Sequence, residues 1–267
     1  MLIAILGGGV LGEAIARGLI SSGYEVIVTE KRDERIRELE KLGFIVMKNN
    51  KAAVKQAEIV ILCVKPKDIE DLLNEISEEI KGKILISVAA AIPISFLKKV
   101  AQGAKIFRAM PNLAVLVREA FIAYSADQNI SQGDIEVVTK VLGALGKVYM
   151  VEETHMDAIT ALNGCAPAYM SLVAEAMMYA GLEIGLERDL TLAIVAQAMI
   201  GTGKLILDGK KTPSEICAMV TTPGGVTVEG LFELESFPVR HAFMRAIKAA
   251  AEKTRKTSLS FGYQTDS

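Results

Sequence analysis

Leu2-Ile3-Ala4-Ile5-Leu6 runs directly into Gly7-Gly8-Gly9-Val10-Leu11-Gly12, and Ala14, Ile15, Leu19 and Ile20 follow at helical spacing. No other stretch limits the fold as much. A short, uniformly apolar run suits a strand buried on both faces, and a glycine-rich turn then opens an amphipathic helix. Gly23 ends that helix, and Glu25-Val26-Ile27-Val28-Thr29 begins the next strand. The result is a β-α-β unit, whose two strands must be parallel because the helix carries the chain back across the sheet.

Alternation continues through the first half. Strands are predicted over 58–64, 83–88 and 106–109, and helices over 67–79, 93–100 and 132–145, with sheet edges from 120–124 and 147–151. Such a pattern predicts an open, mostly parallel, doubly wound α/β sheet covered on both faces. Beyond Glu153 the strand signal vanishes. Helical segments rich in Ala, Met, Leu and Ile follow over 168–185, 190–207, 212–219 and 226–253. The chain therefore divides into an α/β domain over 1–153 and an all-helical domain over 154–267. The helices between 168 and 207 are apolar nearly all round. They are either a packed core with Met filling gaps or a surface that a partner subunit covers. The polar tail from Lys256 to Ser267 is expected to fray.

Composition narrows the function. With 267 residues, 51% of them hydrophobic, the chain can bury its own cores. A net charge of -2 and the absence of a dense Lys/Arg block argue against nucleic acid as a partner. The mixed-sign run Lys31-Arg32-Asp33-Glu34-Arg35 looks like a solvated helix start. Cys63, Cys165, Cys217, His155 and His241 share no metal-ligand spacing, so no metal site is expected, and unpaired cysteines suit a reducing cytoplasm. No leader pattern and no uninterrupted apolar stretch of spanning length is evident, which predicts a soluble cytoplasmic protein without membrane contact.

Gly7-Gly8-Gly9-Val10-Leu11-Gly12 fits G-x-G-x-x-G in the context that gives that pattern meaning, after a strand and opening a helix. Gly7 permits the tight turn, Gly9 lets a pyrophosphate approach the backbone, and Gly12 lets helix and strand pack closely. Val10 and Leu11 place free amides at the positive end of the helix. A Rossmann-type dinucleotide site follows. Glu30 ends the second strand, where a carboxylate accepts from ribose hydroxyls and repels a 2′-phosphate, favouring NAD. Lys31 and Arg32 could pair with that phosphate if Glu30 turned aside, which would admit NADP. Both cofactors stay open.

From Asn50 onward the motifs become specific. "NNKAAVKQAEIVILCVKPKDIEDLL", "ISVAAAIPISFL", "FRAMPN", "VREA", "TALNGCAPAYM" and "VTTPGGVTVEGLFELE" occur in that order. Together they resemble the pyrroline-5-carboxylate reductase family over nearly the whole chain. The resemblance implies a Rossmann domain followed by a helical domain that interlocks with a second copy. It also implies a homodimer with active sites at the dimer interface, or a ring of five such dimers. The implied reaction is hydride transfer from NAD(P)H to the C=N bond of L-1-pyrroline-5-carboxylate, giving L-proline.

Particular residues take roles from this resemblance. Asn50 is implied at the adenine-side ribose, although Asn equally suits a helix N-cap. Val64, Lys65 and Pro66 would line the nicotinamide ribose, at a carboxyl strand edge where ligands bind in such sheets. Ala89, with Ala90 and Ala91, allows close approach of a ligand or merely tight packing. Asn112 belongs to the loop beside the nicotinamide. The family usually continues Met-Pro-Asn with Thr-Pro, whereas this chain has Leu113-Ala114. Asn163-Gly164-Cys165-Ala166-Pro167 stands where the family usually shows Ser-Gly-Ser-Gly-Pro. Cys165 lacks a neighbouring base in the sequence and reads as a small packed residue.

Thr222-Pro223-Gly224-Gly225-Val226-Thr227 is the expected substrate motif. Two glycines before a helix let backbone amides converge on an anion such as a carboxylate. Thr222 adds a hydroxyl, Gly224, Gly225 and Val226 supply amides, and Thr227 accepts from the ring nitrogen. The bland alternative is a loop with a Thr N-cap. A protonated imine already attracts hydride, so no strong general acid is required, and Thr227 is the candidate catalytic residue. Three rivals remain. A β-hydroxyacid dehydrogenase would carry a lysine on the helix over 168–185, which has none. A cofactor-binding regulator without turnover, or a reductase of a related cyclic imine, stays open.

Overall fold

The computed structural model describes Met1–Gly262. The chain forms two compact units, Met1–Pro167 joined by the segment from Lys248, and Ala168–Ile247.

The first unit holds an eight-stranded sheet in the order β3-β2-β1-β4-β5-β6-β7-β8. Its strands are β1 (Leu2–Leu6), β2 (Glu25–Thr29), β3 (Ile45–Met47), β4 (Ile59–Leu62), β5 (Ile84–Ser87), β6 (Lys105–Met110), β7 (Ala120–Ala126) and β8 (Gly146–Met150). All neighbours pair parallel except β7, which runs antiparallel to β6. The first six strands carry the doubly wound order, with its reversal between β1 and β4. Helices α1 (Val10–Ser21), α2 (Asp33–Lys41), α3 (Asn50–Gln56), α4 (Ile69–Glu75), α5 (Ile94–Val100), α6 (Gln132–Gly143) and α7 (Met156–Ile159) complete the unit.

The apolar strands bury both faces. Ile3 and Ile5 join one core with Leu19, Val28, Ile61 and Phe107, while Ala4 and Leu6 join another with Val60, Leu62, Leu85 and Ile106. Alternate residues point to opposite faces, so a continuous apolar run feeds two cores at once. Each fully buried Leu or Ile contributes about 1.5–3 kcal/mol. One charge sits among them. Arg108 is fully buried on β6, with Glu153 at 3.2 Å and Asp157 at 2.7 Å. Glu153 also accepts from the Ile94 amide at 2.7 Å, so one carboxylate holds β6 and the start of α5 together.

Several expectations are corrected here. β3 escapes the periodicity because it is three residues long and Ile45 is exposed. The helix expected over 67–79 is a 3₁₀ turn, Pro66–Asp68, followed by α4, which stops at Glu75. The tail is not frayed throughout. The last helix reaches Ser260, Ser258 is fully buried, and the Phe261 ring meets Phe96 edge-on at 5.3 Å. The remainder of the tail lies outside the described residues. Nor is the run from Lys31 to Arg35 wholly solvated, as Arg35 is drawn inward.

The helical region comprises α8 (Ala166–Glu183), α9 (Arg188–Leu207), α10 (Pro213–Val220), α11 (Val226–Glu235) and α12 (Val239–Ser260). The single helix expected over 226–253 is broken between α11 and α12, where Pro238 cannot extend an existing helix. Thr212 and Glu215 cap α10 reciprocally. Only Gly181 is buried on α8 and only Thr191 and Val195 on α9. A Cβ on Gly181 would strike Thr191 Cγ2, so this close approach requires glycine. Leu172, Leu192, Ile194 and Ile200 are exposed in the single chain. A self-contained helical core is therefore not what these segments form. Among the described residues only α9 has the length and mean hydropathy of a membrane-spanning helix, and Arg188, Asp189, Gln197 and Lys204 interrupt its apolar run.

Candidate active site

The glycine loop leaves β1 and enters α1. Gly7 adopts φ +110°, and a Cβ there would lie 2.8 Å from the Cys63 carbonyl oxygen. A Cβ on Gly12 would strike the Gly7 carbonyl oxygen, and one on Gly8 would lie 2.6 Å from Leu39 Cδ1. Gly9 differs, because a Cβ there meets nothing within 4 Å. Gly7 and Gly12 thus keep the turn closed, while the space beside Gly9 is free for a ligand. Gly9 is also the N-cap of α1 and has no side-chain cap, which leaves the first amides of the helix for an anion. The residues present fit a dinucleotide diphosphate.

Arg35 holds this loop, a role that was not anticipated. Its Nε donates to the Gly8 carbonyl at 2.8 Å, and its guanidinium pairs with Glu13 on α1 and Glu38 on α2. Burial opposes ionisation of Glu13, but hydrogen bonds from Arg17 and Arg35 outweigh it and hold the carboxyl below its usual 4.5. The only sequence hint was an acid in the first turn after the glycines and an arginine on the next helix.

A cleft of about 600 Å³ opens at the carboxyl ends of β1, β2 and β4, the reversal point of the sheet. Gly7, Gly9, Glu30, Lys31, Arg32, Asn50, Val64 and Lys65 line it, so the structure brings these chosen residues together. Thr29, Lys48, Lys67, Asp68, Asp71 and Glu75 also line it and were missed. Cys63 is at this cleft too, but burial pushes its thiol up to about 12, so it supplies no thiolate at neutral pH.

Glu30 does not turn aside. Its Oε1 accepts from the amides of Lys31 at 2.9 Å and Arg32 at 3.1 Å, and Oε2 takes Arg32 Nη2 at 2.9 Å. Burial raises its pKa, yet the Arg32 guanidinium and the two amides prevail and leave the carboxyl below its ordinary value. The Glu30 side chain is 7% exposed and that of Arg32 63%. An ion-paired carboxylate and an accessible guanidinium therefore stand side by side on the cleft wall at the end of β2. Asn50 is not the N-cap of α3. Asn49 takes that role through its Oδ1 and the Ala52 amide at 2.9 Å. Asn50 instead donates to Glu75 Oε2 at 3.0 Å on the cleft wall.

The remaining chosen residues are not among those lining this cleft. Val10 is exposed and Leu11 half-buried at the start of α1, and Pro66 opens the 3₁₀ turn. Ala89 is buried, and Ala91 adopts φ +64°, a strained conformation for a residue with a Cβ. The Asn112 carboxamide is spent on internal hydrogen bonds to Asn163 and Ala114.

The Thr222–Val226 motif belongs to the second unit. Gly225 N donates to the Thr222 carbonyl at 2.9 Å, closing a turn with Pro223 next and Gly224 at φ +68° after it. Proline then glycine at those positions marks a type II turn. The N-cap of α11 is Gly225, not a threonine, and no side chain caps the helix. A Cβ on Gly225 would strike Thr222 Oγ1, while Gly224 faces open space. The Val226 and Thr227 amides thus open an uncapped helix.

The strand order, the glycine loop and the cleft at the reversal point define a Rossmann-type dinucleotide-binding protein. Residues 2–91 match the family of NADP oxidoreductases, coenzyme F420-dependent, and residues 153–257 match the pyrroline-5-carboxylate reductase dimerisation family. The chain belongs to the pyrroline-5-carboxylate reductase family. A relative of that name from Corynebacterium melassecola is 35% identical, with 95% of this chain and 97% of the relative covered. One from Methanosarcina acetivorans is 32% identical, with 95% and 97% covered. The NADP-bound crystal structure of Plasmodium falciparum pyrroline carboxylate reductase superposes with a TM-score of 0.88 at 27% identity, covering 97% of this chain and 98% of that one.

Proposed function

We propose that this chain reduces L-1-pyrroline-5-carboxylate to L-proline, the last step of proline biosynthesis, with NADPH or NADH. The observation that carries the reading is the glycine cradle opening on the β1/β4 cleft, in a chain that is a family member over nearly its full length. A reduced nicotinamide, when bound, supplies the hydride. Gly7, Gly8, Gly9, Val10, Leu11 and Gly12 hold its diphosphate, and Glu30, Lys31, Arg32 and Asn50 meet the adenosine side. Val64, Lys65, Pro66, Ala89 and the loop bearing Asn112 shape the nicotinamide side. The accessible Arg32 guanidinium supports pairing with the 2′-phosphate of NADPH, and its release from Glu30 would free a carboxylate for the ribose hydroxyls of NADH.

Residues 154–267 form the substrate-binding and dimerisation part in this reading, and residues 1–153 the dinucleotide-binding part. The uncapped start of α11 supports a carboxylate cradle built from Thr222, Gly224, Gly225 and Val226. Thr227 accepts from the protonated ring nitrogen and fixes the imine carbon for attack, which is catalysis by orientation. The exposed apolar faces of α8 and α9 support a homodimer, and five dimers in a ring are the larger assembly we propose. The protein is cytoplasmic and works without membrane, nucleic acid or metal. Loss of nicotinamide absorbance on mixing protein, reduced cofactor and pyrroline-5-carboxylate tests the reading. Turnover of a piperideine carboxylate alone would move it to the related imine, and cofactor binding without turnover of either would make the chain a regulator.

A further inference from the structure

The loop Met110-Pro111-Asn112 and a π-helical turn, Thr160–Gly164, meet through two carboxamides. Asn163 is 9% exposed. Its Nδ2 donates to the Met110 carbonyl at 2.9 Å and to the Phe121 carbonyl at 3.0 Å. Carbonyls only accept, so the nitrogen of this side chain must face them and the oxygen must face away. That oxygen accepts from Asn112 Nδ2 at 2.9 Å, and the same nitrogen reaches the Asn163 carbonyl at 3.3 Å. Asn112 Oδ1 in turn accepts from the Ala114 amide at 3.0 Å. Each carboxamide fixes the orientation of the other.

Two of the positions where the sequence leaves the family pattern, 114 and 163, are members of this network. A proline at 114 would have no N–H for Asn112 Oδ1. A serine at 163 has one hydroxyl hydrogen and cannot serve both carbonyls while also receiving Asn112. With Ala114 and Asn163 present together, every donor is used. The network sits at the carboxyl end of β6, the sheet edge where ligands bind, and it includes a π turn, a conformation concentrated at functional sites.

We propose that Asn112 and Asn163 are positioning residues, a carboxamide clasp that sets the loop 110–112 for the reduction. The inference rests on the proposed reading, which puts this loop on the nicotinamide side. Asn112 then acts by holding the loop in shape, its side-chain donors being committed within the protein.

The test uses the full chain and the variants Asn163→Ser, Asn112→Ala, their double, and Asn163→Asp. Asn163→Ser and Asn112→Ala should each lower kcat about tenfold, as loss of a buried hydrogen bond allows, while Kd for the reduced cofactor stays within about twofold. The double variant should be no worse than either single, because both break one coupled unit. In Asn163→Asp, kcat relative to that of the wild type should recover in part as pH falls, since the neutral acid offers one of the two carbonyls a donor and the carboxylate offers none. Additive losses, a wild-type kcat in Asn163→Ser, or an effect confined to Tm would overturn the clasp. Should the variants at 163 fail to fold, Asn112→Ala alone decides, and an unchanged kcat there overturns it. Amide hydrogen exchange at Ala114 reads the clasp without turnover. Protection that is lost in Asn112→Ala supports it, and unaltered protection refutes it. An inactive wild-type chain with that protection intact would count against the proposed reaction alone.

Discussion

The two units treat the same kind of residue in opposite ways. In the first, Ile3, Ile5, Leu62 and Leu85 vanish into cores that the sheet and its helices close by themselves. In the second, α8 and α9 are also rich in Ala, Leu, Ile and Met, yet Leu172, Leu192 and Ile200 stay exposed and hardly any position on either helix is buried. Apolar composition alone therefore does not make a core. A sheet offers two broad faces to cover, whereas a few helices apolar all round leave surface that needs another molecule. The match of residues 153–257 to a dimerisation family agrees with that physical reading.

The largest effect should come from charging the apolar surface. The pair Leu192→Glu and Ile200→Glu should abolish the dimer and with it activity, as seen by analytical ultracentrifugation and turnover. On a true solvent face such changes cost only about 0.5 kcal/mol. A dimer that survived them would break the contrast between the units. Next, Thr227→Ala should lower kcat/KM between about tenfold and a thousandfold, the range of one lost hydrogen bond to a charged group. Unchanged kinetics would remove the second unit from the chemistry.

Two glycines sharpen the picture of the first unit. Gly12→Ala should destabilise it by about 1–3 kcal/mol in urea, because the new methyl lands on the Gly7 carbonyl. Gly9→Ala should leave stability within about 0.5 kcal/mol, since nothing lies near its Cβ. Its cofactor Kd should nevertheless rise about tenfold, worth about 1.4 kcal/mol. Equal behaviour of the two variants would erase the distinction between closing the turn and admitting a ligand.

The smallest effect is electrostatic. Glu13 has its folded pKa below the usual 4.5, so the stability it lends is complete above that pH and is lost as pH falls through the lower folded value. Glu13→Gln should flatten the acid limb of stability measured by urea midpoints against pH. An acid limb unchanged in the variant would show that the Arg35–Glu13 contact does not brace the loop.

Much of the first unit was legible because its signals are local. A five-residue apolar run, a glycine spacing and a capped helix state their conformation within a few neighbours. β3 was not legible, being too short and too exposed for periodicity to register. The break at Pro238 was available in the sequence and was outweighed by the apolar spacing on either side of it. The clasp could not be read, because Asn112 and Asn163 are fifty-one positions apart and nothing local says that their amides meet. Arg35 is the same case on a smaller scale. As a charged residue in a mixed-sign run it looked solvated, and only the fold brings Gly8 and Glu13 within its reach.

By itself the sequence determined the alternation of strands and helices, the glycine turn that shapes an anion cradle, and the motif order of a reductase family. Those follow from backbone sterics and short-range periodicity, which act along the chain. Tertiary structure alone decided which distant polar groups are spent on one another: Arg35 on Gly8 and Glu13, Asn112 on Asn163, Arg108 on Glu153 and Asp157. A buried donor or acceptor must find a partner wherever packing supplies one, and packing joins residues that sequence keeps apart.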